Sequence, residues 1–192
     1  MCLTMKIRPD TRTAIIEAAF TVFGANPGAG LADVARHAGV GRATLHRHFK
    51  GRDDLMAALA GIALQEIDDA VRIATKGAST HTEGLRLTLA AIIPLGNRQG
   101  FLAHERIVAP DLTAQEARQN EAMIHAINAA KDEGTFAADV PTDWVAATFD
   151  NLIYTAWMQV KAQNLTPDQA AALAWRTLTS GLSHPHTQEA TS

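Results

Sequence analysis

Apolar residues recur every three or four positions along most of this chain, and no stretch alternates every second residue as a half-buried strand does. Breaker-rich segments at 24–30 and 76–79 interrupt the pattern. The period therefore predicts an all-α protein. The expected helices span about 11–23, 31–38, 42–49, 54–75, 83–94, 100–108, 113–133, 142–163 and 167–182.

The lengths of these helices indicate two unequal parts. Residues 1–55 hold three short helices, and residues 56–192 hold the longer ones. A connector helix at about 54–76 begins with an acidic pair and joins the two parts. We expect the first part to be a three-helix domain and the second to be a larger helical domain.

Residues 31–55 show the pattern of a helix-turn-helix. Gly39 follows the last periodic residue of the first helix, where glycine can adopt the left-handed conformation that ends a helix. On the next helix Leu45 and Phe49 are four residues apart, so that one face points to a core. Two short helices joined by a glycine turn are typical of DNA-binding proteins.

Basic and polar side chains occupy the rest of this second helix. Arg42, near its start, can donate two hydrogen bonds to a guanine edge, and Lys50 and Arg52 at its end can meet phosphates. A solvated face of an ordinary helical hairpin is the alternative. The candidate DNA-binding residues are Arg42, Ala43, Thr44, His46, Arg47, His48, Lys50 and Arg52.

The segment ADVARHAGVGRATLHRHFKGRDDL resembles the helix-turn-helix signature of the TetR family of bacterial transcriptional repressors. The matching residues are Asp33, Val34, Ala35, Ala38, Gly39, Val40, Thr44, Leu45, Phe49, Asp53, Asp54 and Leu55. Five positions depart from the family pattern: Gly30 for threonine, Gly41 for serine, Ala43 for glycine, His46 for tyrosine and Arg52 for lysine.

The resemblance implies a ligand-responsive repressor, released from a palindromic operator by a small-molecule effector. It also implies a homodimer formed through the last two long helices. By the same resemblance Arg42 and Ala43 reach bases, while Thr44, His46 and Arg52 hold phosphates. The effector is expected in the second domain, and the family does not narrow its identity.

The charge distribution favours DNA as a partner of the first part only. The chain carries a net charge of −3, yet residues 1–55 hold eight Lys or Arg against five Asp or Glu. A basic first part joined to an acidic second part is expected when only one domain contacts nucleic acid.

The sequence also predicts where the protein acts. A single cysteine, no signal-peptide pattern and no long apolar run together predict a cytoplasmic protein without a membrane span.

The last two long helices are apolar on more than one side. Phe149 and Trp175 stand among small and apolar residues that exceed one core-facing stripe. Burying the second face requires another surface, and a second copy of the chain supplies one. The alternative is a two-sided core helix within a monomer. We take Phe149 and Trp175 as expected anchors of the dimer.

A sensing pocket is expected between the connector and these helices. Small-molecule sites combine apolar walls with a few polar groups. For each candidate, an ordinary core or surface role is the alternative. The candidates for the pocket wall are Met123, Ile127, Asn151, Tyr154 and Met158, and the candidates for orienting a ligand are His104, Glu105 and Arg106.

Two other classes of protein remain as alternatives. An enzyme without a recognisable catalytic motif is one, since the chain has no nucleophile-base spacing, phosphate loop or cofactor motif of a known type. Its His-x-His pairs, at 46–48 and 184–186, have no further ligands at metal-like spacing. A helical scaffold that binds only protein is the other, and the basic first part disfavours it.

Overall fold

A computed structural model describes residues 10–104 and 110–182, with the side chains of 10–102 and 113–181. Within these ranges the chain is helical, which confirms the predicted all-α class. A 3₁₀ turn at Ile93–Leu95 lies between the fifth and sixth α-helices. The α-helices in chain order are α1 (Thr11–Ala25), α2 (Leu31–His37), α3 (Arg42–His48), α4 (Arg52–Ala74), α5 (His81–Ile92), α6 (Gly96–His104), α7 (Pro110–Asp132), α8 (Thr142–Lys161) and α9 (Pro167–Leu182).

The first three helices pack around one hydrophobic cluster, here called the first cluster. Asp10 caps α1, because its Oδ1 accepts hydrogen bonds from the backbone N–H groups of Arg12 at 2.7 Å and Thr13 at 3.0 Å. Val34 of α2 and Leu45 of α3 are at most 1% exposed and belong to the same cluster. The buried face of α1 consists of Ile15, Ile16, Ala18, Ala19, Phe20 and Phe23.

Helix α4 runs from the first cluster into a second one. Asp53 and Asp54 lie in its first turn, where carboxylates interact favourably with the helix dipole. Leu59 and Ala63 are buried in the first cluster, and Ile67 is buried in the second. The division at residue 55 stays a prediction, since the first cluster continues past it along α4.

The second cluster lies between α5, α7, α8 and α9. Phe149 is 0% exposed within this cluster, and Trp175 packs against it. The expectation that Phe149 anchors a dimer is therefore wrong, because its side chain is already buried in its own chain. Trp175 also contributes to that core. The large, fully buried side chains of the cluster are Leu89, Ile93, Ile127, Phe136, Phe149 and Ile153.

Helices α4 and α5 begin two residues earlier than the pattern predicts, and two further helices begin three or four residues earlier. The helix expected at 100–108 begins at Gly96, because the 3₁₀ turn holds Pro94 and leads directly into it. The helix expected at 113–133 begins at Pro110, since proline fits the first turn of a helix.

Helices α6 and α8 approach each other closely at Gly96. A Cβ at this position would overlap the Cβ and Cγ atoms of Trp157. Glycine is therefore required for α6 to lie in this place, between α8 on one side and α1 and α4 on the other. None of the helices within the described ranges is long and apolar enough to cross a membrane.

Candidate nucleic-acid interface and ligand cavity

The turn between α2 and α3 has the geometry that its glycine predicts. Gly39 has φ +67°, in the left-handed region that favours glycine. The backbone N–H of Val40 donates to the carbonyl of Ala35 at 2.9 Å and closes the end of α2. Gly41 then begins α3, so the direction of α3 is fixed within a few residues.

Helix α3 divides into an inner and an outer face. Leu45 is 1% exposed and Phe49, just past its end, is 2% exposed, so both hold the helix against the first cluster. Thr44 and His48 are half-buried. The exposed positions are Arg42, Ala43, His46 and Arg47, with Lys50 beyond the end of the helix.

This outer face carries positive charge without a compensating acid in its own helix. The sequence of α3, RATLHRH, contains no Asp or Glu. On α2, by contrast, Arg36 forms an ion pair with Asp33. A cationic face that protrudes from a compact core has the charge and shape to enter a groove of DNA.

Arg52 differs from the expectation that it holds a phosphate. Its guanidinium donates to the backbone carbonyls of Ala29 at 2.6 Å and Pro27 at 2.7 Å. It also lies 4.4 Å from the centre of the Phe23 ring. These contacts direct Arg52 inward, where it ties the start of α4 to the loop between α1 and α2.

A cavity of about 1420 Å³ opens between α4, α5, α7 and α8. Met123 lines it, as the sequence predicts. Ile127 does not, because it is 0% exposed in the second cluster. Asn151, Tyr154 and Met158 are not among the lining residues either; they are exposed on α8, and Tyr154 and Met158 are 44% and 40% exposed.

The cavity wall combines apolar and polar side chains. Val71 of α4, Leu85 of α5 and Met123 of α7 contribute apolar surface. Gln119 donates from Nε2 to the backbone carbonyl of Leu64 at 3.2 Å and thereby links α7 to α4 across the wall. The candidate ligand-orienting side chains of His104, Glu105 and Arg106 lie outside the described residues.

Asp150 is one of the polar groups of this wall that the sequence pattern does not predict. It lies beside the buried stripe of α8 and accepts a hydrogen bond from Gln99 Nε2 at 3.3 Å. Although Asp150 is exposed on α8, the protein atoms around its carboxylate displace part of the water that would solvate it. This desolvation raises the pKa of Asp150. An acid within a largely apolar stretch of the sequence was the signal that could have identified it.

Comparisons with known proteins agree with this geometry. The sequence pattern described as bacterial regulatory proteins, tetR family, matches residues 15–59. Over 177 residues the chain is 30% identical to the HTH-type transcriptional repressor LfrR of Mycolicibacterium smegmatis. The aligned region covers 91% of this chain and 92% of that protein.

Solved structures show the same fold. The crystal structure of LfrR from Mycobacterium smegmatis in complex with proflavine has a TM-score of 0.67 at 29% identity, covering 90% of this chain and 96% of that one. A TetR family regulator from Marinobacter aquaeolei VT8 has a TM-score of 0.69 at 18% identity, covering 90% and 95%. The second likeness supports the fold alone.

The exposed basic helix and its glycine turn define a helix-turn-helix protein, and the second part of the chain contains a separate cavity. Identity of 30% to a repressor, across nine-tenths of both chains, identifies its family. The chain belongs to the TetR family of bacterial regulatory proteins. It is a ligand-responsive DNA-binding transcriptional regulator, and the relatives named above are regulators rather than enzymes.

Proposed function

We propose that this chain acts as a dimeric repressor that occupies a roughly palindromic operator and leaves it when a small organic molecule fills the cavity. The exposed cationic face of α3, held by the buried Leu45 and Phe49, carries the proposal. Such a regulator acts on chromosomal DNA, which in a bacterium lies in the cytoplasm.

On DNA, the residues of α3 serve two purposes. Arg42 and Ala43 are exposed at the start of the helix, where Arg42 reads a guanine edge and Ala43 allows close approach to the bases. Thr44, His46, Arg47, His48 and Lys50 surround them and meet phosphate oxygens. Arg52 acts indirectly, by fixing the loop beneath the motif.

Dimerisation sets the spacing of the two α3 helices. Tyr154 and Met158 of α8 and Leu173 of α9 are large apolar side chains that are 40% to 44% exposed on the single chain. Pairing α8 and α9 with their copies buries this surface about a two-fold axis. The operator then has two half-sites, about one helical turn apart or somewhat more.

For the effector, the cavity favours an organic cation with an apolar body. Asp68, Glu116 and Asp150 are among its lining residues, and Arg118 is the one Lys or Arg among the described lining residues. A cation beside Asp150 compensates a negative charge that the surrounding protein atoms partly desolvate. The relative LfrR has been crystallised with proflavine, a planar cation, and proflavine is therefore the first compound to test.

The DNA-binding role is tested by selecting duplexes from a random pool with the purified protein. We expect a palindromic sequence to be enriched. Replacing Arg42 with Ala should then cost about 1 to 3 kcal/mol per half-site on the selected duplex and much less on random DNA, because each protomer loses a bidentate base contact. Fluorescence anisotropy of labelled duplexes measures both.

Arg36→Ala is the matched control. Arg36 is an exposed arginine of the same motif, but it lies on α2 and pairs with Asp33. We expect this variant to keep its preference for the selected duplex. Equal losses on selected and random DNA for Arg42→Ala would remove its base-reading role, and failure to enrich any duplex would overturn the proposed function.

A further inference from the structure

Helix α6 contacts α1, part of the first cluster, and also lines the cavity, and Arg98 lies in its first turn. The side chain of Arg98 is only 11% exposed. A buried guanidinium needs several acceptors, because each unsatisfied N–H group loses its hydrogen bond to water. The neighbours that satisfy Arg98 therefore determine where α6 can lie.

Two carboxylates from different helices hold this guanidinium. Nη2 donates to Glu17 Oε1 of α1 at 2.6 Å, and Nε donates to Glu66 Oε2 of α4 at 2.8 Å. The planar fork of arginine can serve both partners at once, whereas a lysine ammonium has no such fixed geometry. Arg98 therefore fastens α6 to α1 as well as to the connector helix.

Aromatic packing reinforces the same contact. The guanidinium of Arg98 lies 4.3 Å from the centre of the Phe20 ring of α1. Phe101, one turn further along α6, meets Phe20 edge to face with ring centres 5.4 Å apart. Phe20 belongs to the first cluster, on which α2 and α3 also rest.

The next residue of α6 faces the cavity instead. Gln99 donates to Asp150 of α8 at 3.3 Å, and both residues line the cavity. Leu102 lines it too and packs against both hydrophobic clusters. Successive helical residues point about 100° apart, so one short helix presents Arg98 and Gln99 to different neighbours.

We propose that Arg98 is the positioning residue that couples occupancy of the cavity to the orientation of the DNA-binding helices, through its ion pair with Glu17. This rests on the proposed function, since it concerns how that function is regulated. A ligand that displaces Gln99 or Leu102 shifts α6, and Arg98 then carries the shift directly to α1. The route is separate from bending of the connector α4 alone.

The ion pair makes this coupling stepwise rather than gradual. A small shift of α6 that breaks the contact with Glu17 leaves a mostly buried cation with fewer acceptors, which is strongly unfavourable. The helix therefore stays with α1 or moves to a position with new acceptors. Helix shifts of about 1 to 2 Å are common in such switches.

Hydrogen exchange of the full-length protein, with and without the selected duplex, tests the proposal without the need for an effector. Coupling is reciprocal, so DNA that fixes α1 must also fix α6. In the wild type we expect the duplex to slow exchange of the α6 amides by about 5-fold or more. In the Glu17→Gln variant, the duplex should change the exchange rates of the α6 amides by less than about 2-fold.

Glu17 is suited to this substitution because its side chain is 53% exposed, so that glutamine fits without disturbing the core. Arg98→Lys should lose the response as well, since lysine cannot hold both carboxylates. Glu121→Gln, an exposed position on α7, is the control and should respond like the wild type.

The outcomes separate the two proposals. Anisotropy first establishes whether the wild type binds the duplex, and failure there overturns the proposed function. If the duplex is bound, an unchanged α6 in the wild type overturns the role of Arg98. If the duplex slows exchange of α6 in Glu17→Gln as much as in the wild type, the role of Arg98 is also overturned, while the proposed function remains intact.

Discussion

Arg52 and Lys50 are neighbouring cations at the end of α3, and the structure gives them different surroundings. Arg52 contacts Ala29 and Pro27, which are 23 and 25 residues earlier in the chain. The side chain of Lys50 is exposed. The sequence alone could not distinguish the roles of Arg52 and Lys50, because both are basic residues just past the end of α3. The position of the loop between α1 and α2 in the folded chain distinguishes them: Arg52 binds this loop, and Lys50 can meet a phosphate.

This difference gives a paired prediction. Arg52→Met should lower the free energy of unfolding by about 2 kcal/mol, because two carbonyl groups lose a charged donor. Lys50→Met should leave stability unchanged and reduce the slope of log affinity against log salt by about 1.8, as expected for one lost phosphate contact in each protomer of the dimer. Urea unfolding and anisotropy at several salt concentrations measure these. A flattened salt slope for Arg52→Met would contradict its structural role.

At the scale of elements, the sequence predicted where most helices lie but not which faces border the cavity. Helices α7 and α8 each have apolar residues on two sides, so periodicity cannot tell a core face from a cavity wall. Ile127 was assigned to the wall for this reason, and it lies in the core. Tyr154 and Met158, also assigned to the wall, lie on the exposed side of α8.

Helix α5 shows how a distant residue can fix the start of an element. Glu133, which follows α7, accepts hydrogen bonds from the backbone N–H groups of His81 and Thr82, each at 2.8 Å. Thr82 Oγ1 donates to it at 2.6 Å. The side-chain and backbone donors of Thr82, followed by those of His81, lower the pKa of Glu133 from 4.5 to about 2.

A dependence on pH follows from this lowered pKa. The ionised carboxylate stabilises the folded chain fully above pH 4.5, and its contribution is lost as the pH falls from 4.5 to about 2. Glu133→Gln should therefore be less stable than the wild type near neutral pH, with a difference that shrinks across this window. Urea unfolding at stepped pH measures it. A difference that stays constant down to the lower limit would contradict the assignment.

At the scale of the whole molecule, the helical class and the helix-turn-helix could be predicted because they depend on local period and turn chemistry. The contact between α6 and α1 could not, since it depends on how Gly96 lets α6 approach α8. The dimer surface on α8 and α9 stays a prediction. Its expected anchor Phe149 is instead a core residue of the single chain.

The proposed dimer predicts a contrast between two exposed apolar residues. Leu173, on α9, is 43% exposed, and Ile73, near the end of α4, is 67% exposed. Leu173→Glu should yield monomers, because a charge would be buried at the paired helices. Ile73→Glu should remain dimeric. Sedimentation equilibrium separates the two, and a stable Leu173→Glu dimer would remove α9 from the interface.

The central claim is that one chain binds both DNA and an effector and that each weakens the other. Calorimetric titration of proflavine into the free protein and into its complex with the selected duplex tests it most directly. We expect the duplex to weaken proflavine binding by the factor by which proflavine weakens duplex binding, about 5- to 150-fold. Equal proflavine affinity in the two titrations, for a compound bound in the cavity, would contradict the account.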